Sequence, residues 1–140
     1  MTVRTPAPQP VATGAGRTVL IVLELLIGGS AVLGGIGLVR DGMGLPAEWL
    51  AATPFTTWTW PGIFLLAGVA APMLTAAALE LARVRTAGSV SVVAGAALVV
   101  WIAVQVAALQ QFSVLQPVMA GAGIAVVLAA RWAHHTWWAR

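Results

Sequence analysis

The segment that decides the fold is "TVLIVLELLIGGSAVLGG", residues 18–35, an apolar run interrupted by a single charged residue, Glu24. A helix needs about 20 mostly apolar residues to cross the hydrocarbon core of a bilayer, and this run continues to Val39. Similar runs follow at about residues 62–82, 88–109 and 114–130. We therefore predict four membrane-spanning helices, the first at about residues 18–39.

The composition agrees with this prediction. The chain has 140 residues, of which 60% are hydrophobic and 8% are charged, whereas about 25% of the residues of a soluble domain are charged. We predict one transmembrane domain at 18–133, a disordered polar N-terminal segment at 1–17 and a tail at 134–140. The chain has no cysteine, which excludes disulfides, thiol redox chemistry and thiolate metal sites.

The arginines predict the orientation of the helices. If the chain crosses the membrane four times, six of its seven arginines lie on one side, namely Arg4, Arg17, Arg83, Arg85, Arg131 and Arg140. Only Arg40 lies on the other side. Because positive residues concentrate in cytoplasmic segments, both termini are predicted to be cytoplasmic. Isolated arginines at the ends of spans are typical of membrane orientation and do not indicate nucleic-acid binding.

The connections predict the shape of the bundle. Residues 83–88 and 110–113 are short connections, so the helices that they join are expected to be antiparallel neighbours in an all-α four-helix bundle. The connection at 40–60 is longer, and 46–52 is predicted to form a short helix on the outer surface. This outer loop has enough residues to act as a lid.

Small residues and one proline predict how the helices pack. Glycine lets helix backbones approach closely in a membrane, and spans one, three and four contain Gly28, Gly29, Gly34, Gly35, Gly37, Gly95, Gly121 and Gly123. We expect tight packing within the bundle; a dimer interface or a hinge is the alternative. Pro72 removes one backbone donor near the middle of span two, and is expected to kink it.

Glu24 is the most informative polar residue. It lies six residues into span one, about 9 Å inside a hydrocarbon core about 30 Å thick. A charge at the centre of a bilayer costs about 3 kcal/mol on insertion scales. Three arrangements remain open for Glu24: an ion pair with Arg83 or Arg131, a neutral carboxyl hydrogen-bonded to another helix, or a cavity that binds a cation or a proton.

Two further groups of residues are candidate sites. Glu80 lies within one turn of the inner end of span two, with Arg83 three residues later, and we interpret the two as a surface ion pair. Because Glu80 and Glu24 lie at similar depths, a shared inner polar site is the alternative. At the outer end, we predict a pocket formed by Trp101, Gln105, Gln116 and Trp60; the alternative is a hydrated helix end.

No catalytic or metal-binding motif is evident in the sequence. Adjacent residues on a helix point about 100° apart, so His134 and His135 are not expected to share a metal ion, and we interpret them as part of an interfacial tail. Neither a nucleophile motif nor a phosphate-binding loop is present. We expect no cofactor and no metal, and we favour a protein without enzymatic activity.

The run "GGSAVLGGIGLVRDGMGLPAEWLAATPFTTWTWPGIFLLAGVAAPML" and the later "WIAVQVAALQQFSVLQPV" resemble a family of small four-span bacterial membrane proteins of unassigned function. The resemblance covers about residues 24–120 and implies the same architecture, but no activity. Small multidrug exporters offer an analogy, because they also have four spans with one glutamate in the first helix and work as dimers. This chain differs from them in its longer outer loop and its charged tail.

Two functions are favoured, and a membrane enzyme is the third and least favoured because no catalytic group of residues is evident. The first is a small bundle in a bacterial inner membrane that binds a lipid or an apolar ligand, or stabilises a partner membrane protein. The second is a proton-coupled transporter of small molecules that uses Glu24. The expected partners are membrane lipid and a second copy or a larger membrane complex, and not nucleic acid.

Overall fold

The protein is described here by a computed structural model, which covers residues 14–134. Its regular elements within these residues are helices: α1 (Gly14–Asp41), α2 (Thr59–Leu65), α3 (Ala71–Leu81), α4 (Ala87–Leu109) and α5 (Leu115–His134). A π-helical turn, Leu66–Ala70, joins α2 to α3 without a break. The two helices and this turn therefore form one continuous helical rod from Thr59 to Leu81.

Four helical segments are long and apolar enough to cross a membrane. This confirms the predicted number of helices with the length and hydropathy of a span. Helix α1 begins at Gly14, so residues 14–17, which the sequence assigned to a disordered segment, belong to the first helix. Helix α5 continues to His134, one turn beyond the predicted end at residue 130. The predictions for residues 1–13 and 135–140 lie outside the described residues.

Each span packs against two others. Helix α1 contacts α2, α3 and α5, while α4 contacts α3 and α5, so the four spans form a ring in chain order. Their shared core is apolar and rich in small residues, with Leu20, Met73, Ala76 and Val126 inaccessible to solvent. Larger side chains such as Leu26 and Leu33 of α1 point outward, as expected for surfaces that face lipid.

Glycines mark the two closest helix crossings. A Cβ atom at Gly95 of α4 would lie 2.8 Å from the carbonyl oxygen of Gly123 of α5, and one at Gly123 would lie 2.9 Å from the carbonyl oxygen of Gly95. A Cβ atom at Gly62 of α2 would likewise lie 2.8 Å from the carbonyl oxygen of Gly35 of α1. These glycines therefore let helices of the same chain approach, which is the packing role predicted for the small residues.

The π-helical turn gives a physical reason for the tolerance of Pro72. A proline ring clashes with the carbonyl group four residues before it in a regular helix, which here is that of Gly68. Gly68 lies inside the π-helical turn, where the chain is wound more widely. The distortion that the sequence predicts as a kink is thus a widened turn just before Pro72.

The outer loop folds back onto the bundle. Residues 46–52, predicted as a short helix, contain a single 3₁₀ turn, Ala47–Leu50. Leu50 and Trp58 are almost completely buried beneath this loop. Gly42, which precedes this turn, has a positive φ of 69°, a conformation that favours glycine. A Cβ atom at Gly42 would also lie 2.8 Å from the Cδ1 atom of Trp58, so there is no space for a side chain.

Candidate functional site

Glu24 points into the centre of the bundle. The buried residues of α1 recur every three or four positions, as expected for one face of a helix, and Glu24 lies on that face between Leu20 and Ile27. Its side chain is fully buried. The carboxyl group therefore lies among the helices and does not face lipid.

A second buried carboxylate, Glu80 of α3, lies at the same end of the bundle. Its Oε1 atom is 2.6 Å from Nε2 of His134, and its Oε2 atom is 3.4 Å from Nε of Arg17. Arg17 also donates a hydrogen bond to the backbone carbonyl of Glu80. Three helices thus meet at Glu80, since Arg17 comes from the first turn of α1 and His134 from the last turn of α5.

A glycine makes room for the histidine. A Cβ atom at Gly88, in the first turn of α4, would lie 2.6 Å from Cδ2 of the His134 ring. Any larger residue at position 88 would displace this ring from Glu80. The contact between Glu80 and His134 thus requires the beginning of α4 as well as the ends of α3 and α5.

Glu24 has no comparable partners. Among residues 14–134, neither of its carboxyl oxygens has a hydrogen-bond partner, and the same is true of the buried hydroxyl group of Ser91 in α4. The Ser91 hydroxyl nevertheless lies beside the Glu24 carboxyl group, close enough to hydrogen-bond to it after a small side-chain movement, while the Glu80 carboxylate acts on Glu24 electrostatically. We call Arg17, Glu24, Glu80, Ser91 and His134 the inner cluster; it draws on all four spans.

The structure brings together only part of the predicted inner site. Glu24 and Glu80 are both buried at the same end of the bundle, close enough for their charges to interact, which agrees with the shared-site alternative. Arg83 and Arg131 are both exposed, and neither forms a described ion pair with Glu24 or Glu80. The interpretation of Glu80 and Arg83 as a surface pair is wrong, because Glu80 is fully buried and contacts Arg17 and His134 in place of Arg83.

His134 and Arg17 are the site residues that sequence reasoning missed. Both were placed outside the spans, His134 in the tail and Arg17 in the N-terminal segment, whereas both lie within helices. One signal for Arg17 was available, because residues seven positions apart share a helix face and Arg17 precedes Glu24 by that spacing. His135 lies outside the described residues.

The inner cluster consists of groups that can exchange protons. No group of three or more metal-ligating side chains occurs within the described part of the chain. The cluster contains two carboxylates, one guanidinium, one imidazole and one hydroxyl group. Of these, the carboxylates and the imidazole can bind and release protons.

A cavity of about 240 Å³ lies at the opposite end of the bundle. It is partly open and almost wholly apolar, with α1, α2, α4 and the outer loop contributing its walls: Leu38, Leu50, Thr53, Phe55, Trp58, Pro61, Phe64, Leu65, Trp101, Val104, Gln105, Ala108 and Leu109. We call it the outer cavity. Its lining residues with polar side-chain groups are Thr53, Gln105 and the two tryptophans, Trp58 and Trp101.

Two of the four predicted pocket residues line this cavity. Trp101 and Gln105 do so, whereas Trp60 is half exposed and packs against Phe64, with 6.1 Å between the ring centroids. Gln116 is buried but caps the start of α5, where its Oε1 atom accepts a hydrogen bond of 3.0 Å from the backbone of Ser113. Such reciprocal capping satisfies helix-end donors and leaves the side chain unavailable to a ligand.

Trp58 takes the place that the sequence suggested for Trp60. Its ring is 7% exposed and lines the outer cavity, and its indole Nε1 atom has no acceptor among residues 14–134. A buried indole N–H normally finds a partner. The outer loop therefore supplies both the roof of the cavity and a free hydrogen-bond donor beside it.

No protein-family model, curated protein or solved structure is similar to this chain at a significant level. The resemblance to small four-span bacterial proteins therefore stays a prediction. The four helices fit a multi-pass membrane protein, and any function must be argued from the two sites themselves.

Proposed function

We propose that the protein is a multi-pass protein of a bacterial inner membrane that binds a lipid chain or another small apolar ligand in the outer cavity. The observation that carries this proposal is the cavity itself, a partly open recess with an almost wholly apolar lining, as is typical of sites for small apolar ligands. A space of about 240 Å³ lined by Leu38, Phe64 and Trp101 is attractive to an apolar group.

The size of the cavity limits what can enter it. Pockets for drug-sized ligands measure about 300–1,000 Å³, so a space of about 240 Å³ accommodates a smaller compound or one segment of an acyl chain. The side-chain amide of Gln105 can hydrogen-bond to a carbonyl or hydroxyl oxygen of a ligand in the cavity. An amphiphile with one oxygen near an apolar chain matches this lining.

The proposal is tested with two matched variants on one helix. Ala108→Phe fills the outer cavity, which Ala108 lines, whereas Ala107→Phe adds the same ring at an exposed position outside it. We expect lipid to co-purify with the wild type and with Ala107→Phe in native mass spectrometry, and to be lost from Ala108→Phe. Equal lipid retention by the two variants would contradict the proposal.

A second candidate function is proton-coupled transport of small molecules, and the buried, unpartnered carboxyl group of Glu24 favours it. Intramembrane carboxyl groups mark proton pathways in many transporters. In proteoliposomes, Glu24→Gln should abolish substrate flux driven by a pH gradient, while Glu48→Gln in the exposed outer loop should not. Unchanged coupled flux in Glu24→Gln would exclude this function.

A further inference from the structure

The inner cluster has an unbalanced charge. Glu24 and Glu80 are both buried, while the formal positive charge in direct contact with them is that of Arg17. The cluster therefore carries one net negative charge when His134 is neutral. A buried net charge is costly, and the site becomes neutral when it takes up a single cation.

The titratable groups that face Glu24 can be assigned helix by helix. Helix α1 contributes Arg17, α3 contributes Glu80 and α5 contributes His134, while α4 contributes the hydroxyl group of Ser91 and has no charged residue. Arg131 of α5 is exposed. No other buried charged side chain occurs within the described residues.

Glu24 is the group that lacks a counterion. Arg17 and His134 both contact Glu80, so the charge of Glu80 is compensated. The oxygens of Glu24 and the hydroxyl group of Ser91 are all unpartnered within residues 14–134. A proton on Glu24 removes the charge and turns one oxygen into a donor, for which the Ser91 hydroxyl is an available acceptor.

We propose that the inner cluster is a proton-binding site, in which Glu24 holds one proton and the Glu80–His134 pair connects it to the aqueous phase. His134 is suited to this role because 22% of its side chain is exposed while its Nε2 atom is 2.6 Å from Glu80. The imidazole of His134 first takes up a proton from the aqueous phase and becomes an imidazolium ion. When the imidazolium releases this proton, an O–H bond forms on the Glu24 carboxylate and the imidazole returns to its neutral form. This site is separate from the outer cavity and stands without it; in the transporter alternative it would bind the coupling proton.

The experiment measures the protonation of Glu24 directly. Infrared difference spectra of the full-length protein in lipid nanodiscs, recorded between alkaline and acidic pH, should show the carbonyl band of one buried carboxylic acid. Glu24→Gln should lose this band, while Glu48→Gln, which changes an exposed carboxylate, should keep it. Retention of the band in Glu24→Gln would overturn the proposal, as would its displacement by sodium ions at constant pH.

Two further variants test the geometry. Ser91→Ala should move the band to higher wavenumber because the carboxyl group loses its hydrogen-bonding neighbour, and this arm remains informative if Glu24→Gln does not fold. His134→Gln keeps a donor to Glu80 but cannot carry a proton, so the band should appear about tenfold more slowly after a rapid pH drop. An unshifted band in Ser91→Ala, or an unchanged rate in His134→Gln, would contradict the assignment. Neither measurement depends on substrate flux, so both still test the proton-binding site if the protein transports no substrate.

Discussion

The contacts of Glu80 predict a measurable loss of stability when its charge is removed. Glu80→Gln preserves the volume of the side chain, but it leaves the guanidinium of Arg17 without its counterion and replaces an acceptor of the 2.6 Å contact to His134. Removing one partner of a fully buried ion pair costs about 3–5 kcal/mol. The side chains of Arg17 and His134 are 28% and 22% exposed, so water compensates part of this loss. We expect about 2–3 kcal/mol, in the range of hydrogen bonds to charged groups.

The measurement is the free energy of unfolding of the full-length chain in detergent micelles, with helicity as the signal. Glu48→Gln is the control, and should change this free energy by less than about 0.5 kcal/mol because Glu48 is exposed. A double-mutant cycle of Glu80→Gln with His134→Gln isolates their contact and should give a coupling energy of about 1 kcal/mol or more.

Two results would refute this reasoning. Additive effects of the two substitutions would mean that His134 and Glu80 do not interact, whatever each contributes alone. A Glu80→Gln variant as stable as Glu48→Gln would mean that the ion pair with Arg17 contributes nothing to stability, and that Arg17 acts through the hydrogen bond from its guanidinium to the Glu80 backbone carbonyl.

Three further predictions test the packing and the orientation. Gly95→Ala should destabilise the protein by about 1–2 kcal/mol, because its Cβ atom would lie 2.8 Å from the Gly123 carbonyl oxygen, whereas Gly121→Ala, with no neighbour within 4 Å, should be neutral or stabilising in the same unfolding assay. Leu50→Ala removes a side chain that is 2% exposed and lines the outer cavity, and should both cost about 2–4 kcal/mol and speed proteolysis within the outer loop. Because the chain has no cysteine, Ala47→Cys and Ala82→Cys can report topology directly: a membrane-impermeant thiol reagent added to intact cells should label the first and not the second, and the reverse pattern would exclude cytoplasmic termini.

The number of spans and the inward position of the glycines could be predicted from sequence because they depend on length and local spacing. Four apolar runs of about 20 residues leave little freedom in a membrane. Gly95 and Gly123 lie in the middle of their helices, where a small residue is useful mainly for close packing.

The partners of Glu24 and Glu80 could not be predicted in the same way, because they depend on where each helix ends. One additional turn of α5 brings His134 to Glu80, and one additional turn of α1 brings Arg17 to it. Hydropathy marks a span by its apolar run, so it misassigns the polar residues that continue the same helix just beyond the ends of that run. Arg83, by contrast, lies nearby in sequence but has a φ of 57°, in the turn that follows α3.

In the outer cavity, too, some residues could be predicted from sequence and others could not. Trp101 and Gln105 are four residues apart on one helix, so their common face was evident. The choice between Trp58 and Trp60 depends on where the irregular loop ends and α2 begins. Gln116 follows Ser113 by three residues, and this spacing already favoured a local capping role. Local chemistry explains Gln116 fully, and no ligand is needed to account for its burial.

The separation of the two sites bears on the choice between binding and transport. Ser91 of the inner cluster and Gln105 of the outer cavity are fourteen residues apart on α4, which corresponds to about 21 Å along the helix. Met73, Leu98 and Val126 lie in the apolar core between them, and no buried polar side chain of residues 14–134 belongs to this layer.

A proton on Glu24 can therefore influence a ligand in the outer cavity only if this apolar layer moves. The π-helical turn Leu66–Ala70 lies in that layer, since Val69 and Ala70 belong to the same core and the turn contacts both α1 and α4. Such turns occur often at functional sites because their widened winding is readily rearranged. Transport thus requires the inner cluster, the outer cavity and a conformational change at this turn. Ligand binding requires only the outer cavity, which is already formed. We rank binding above transport for that reason.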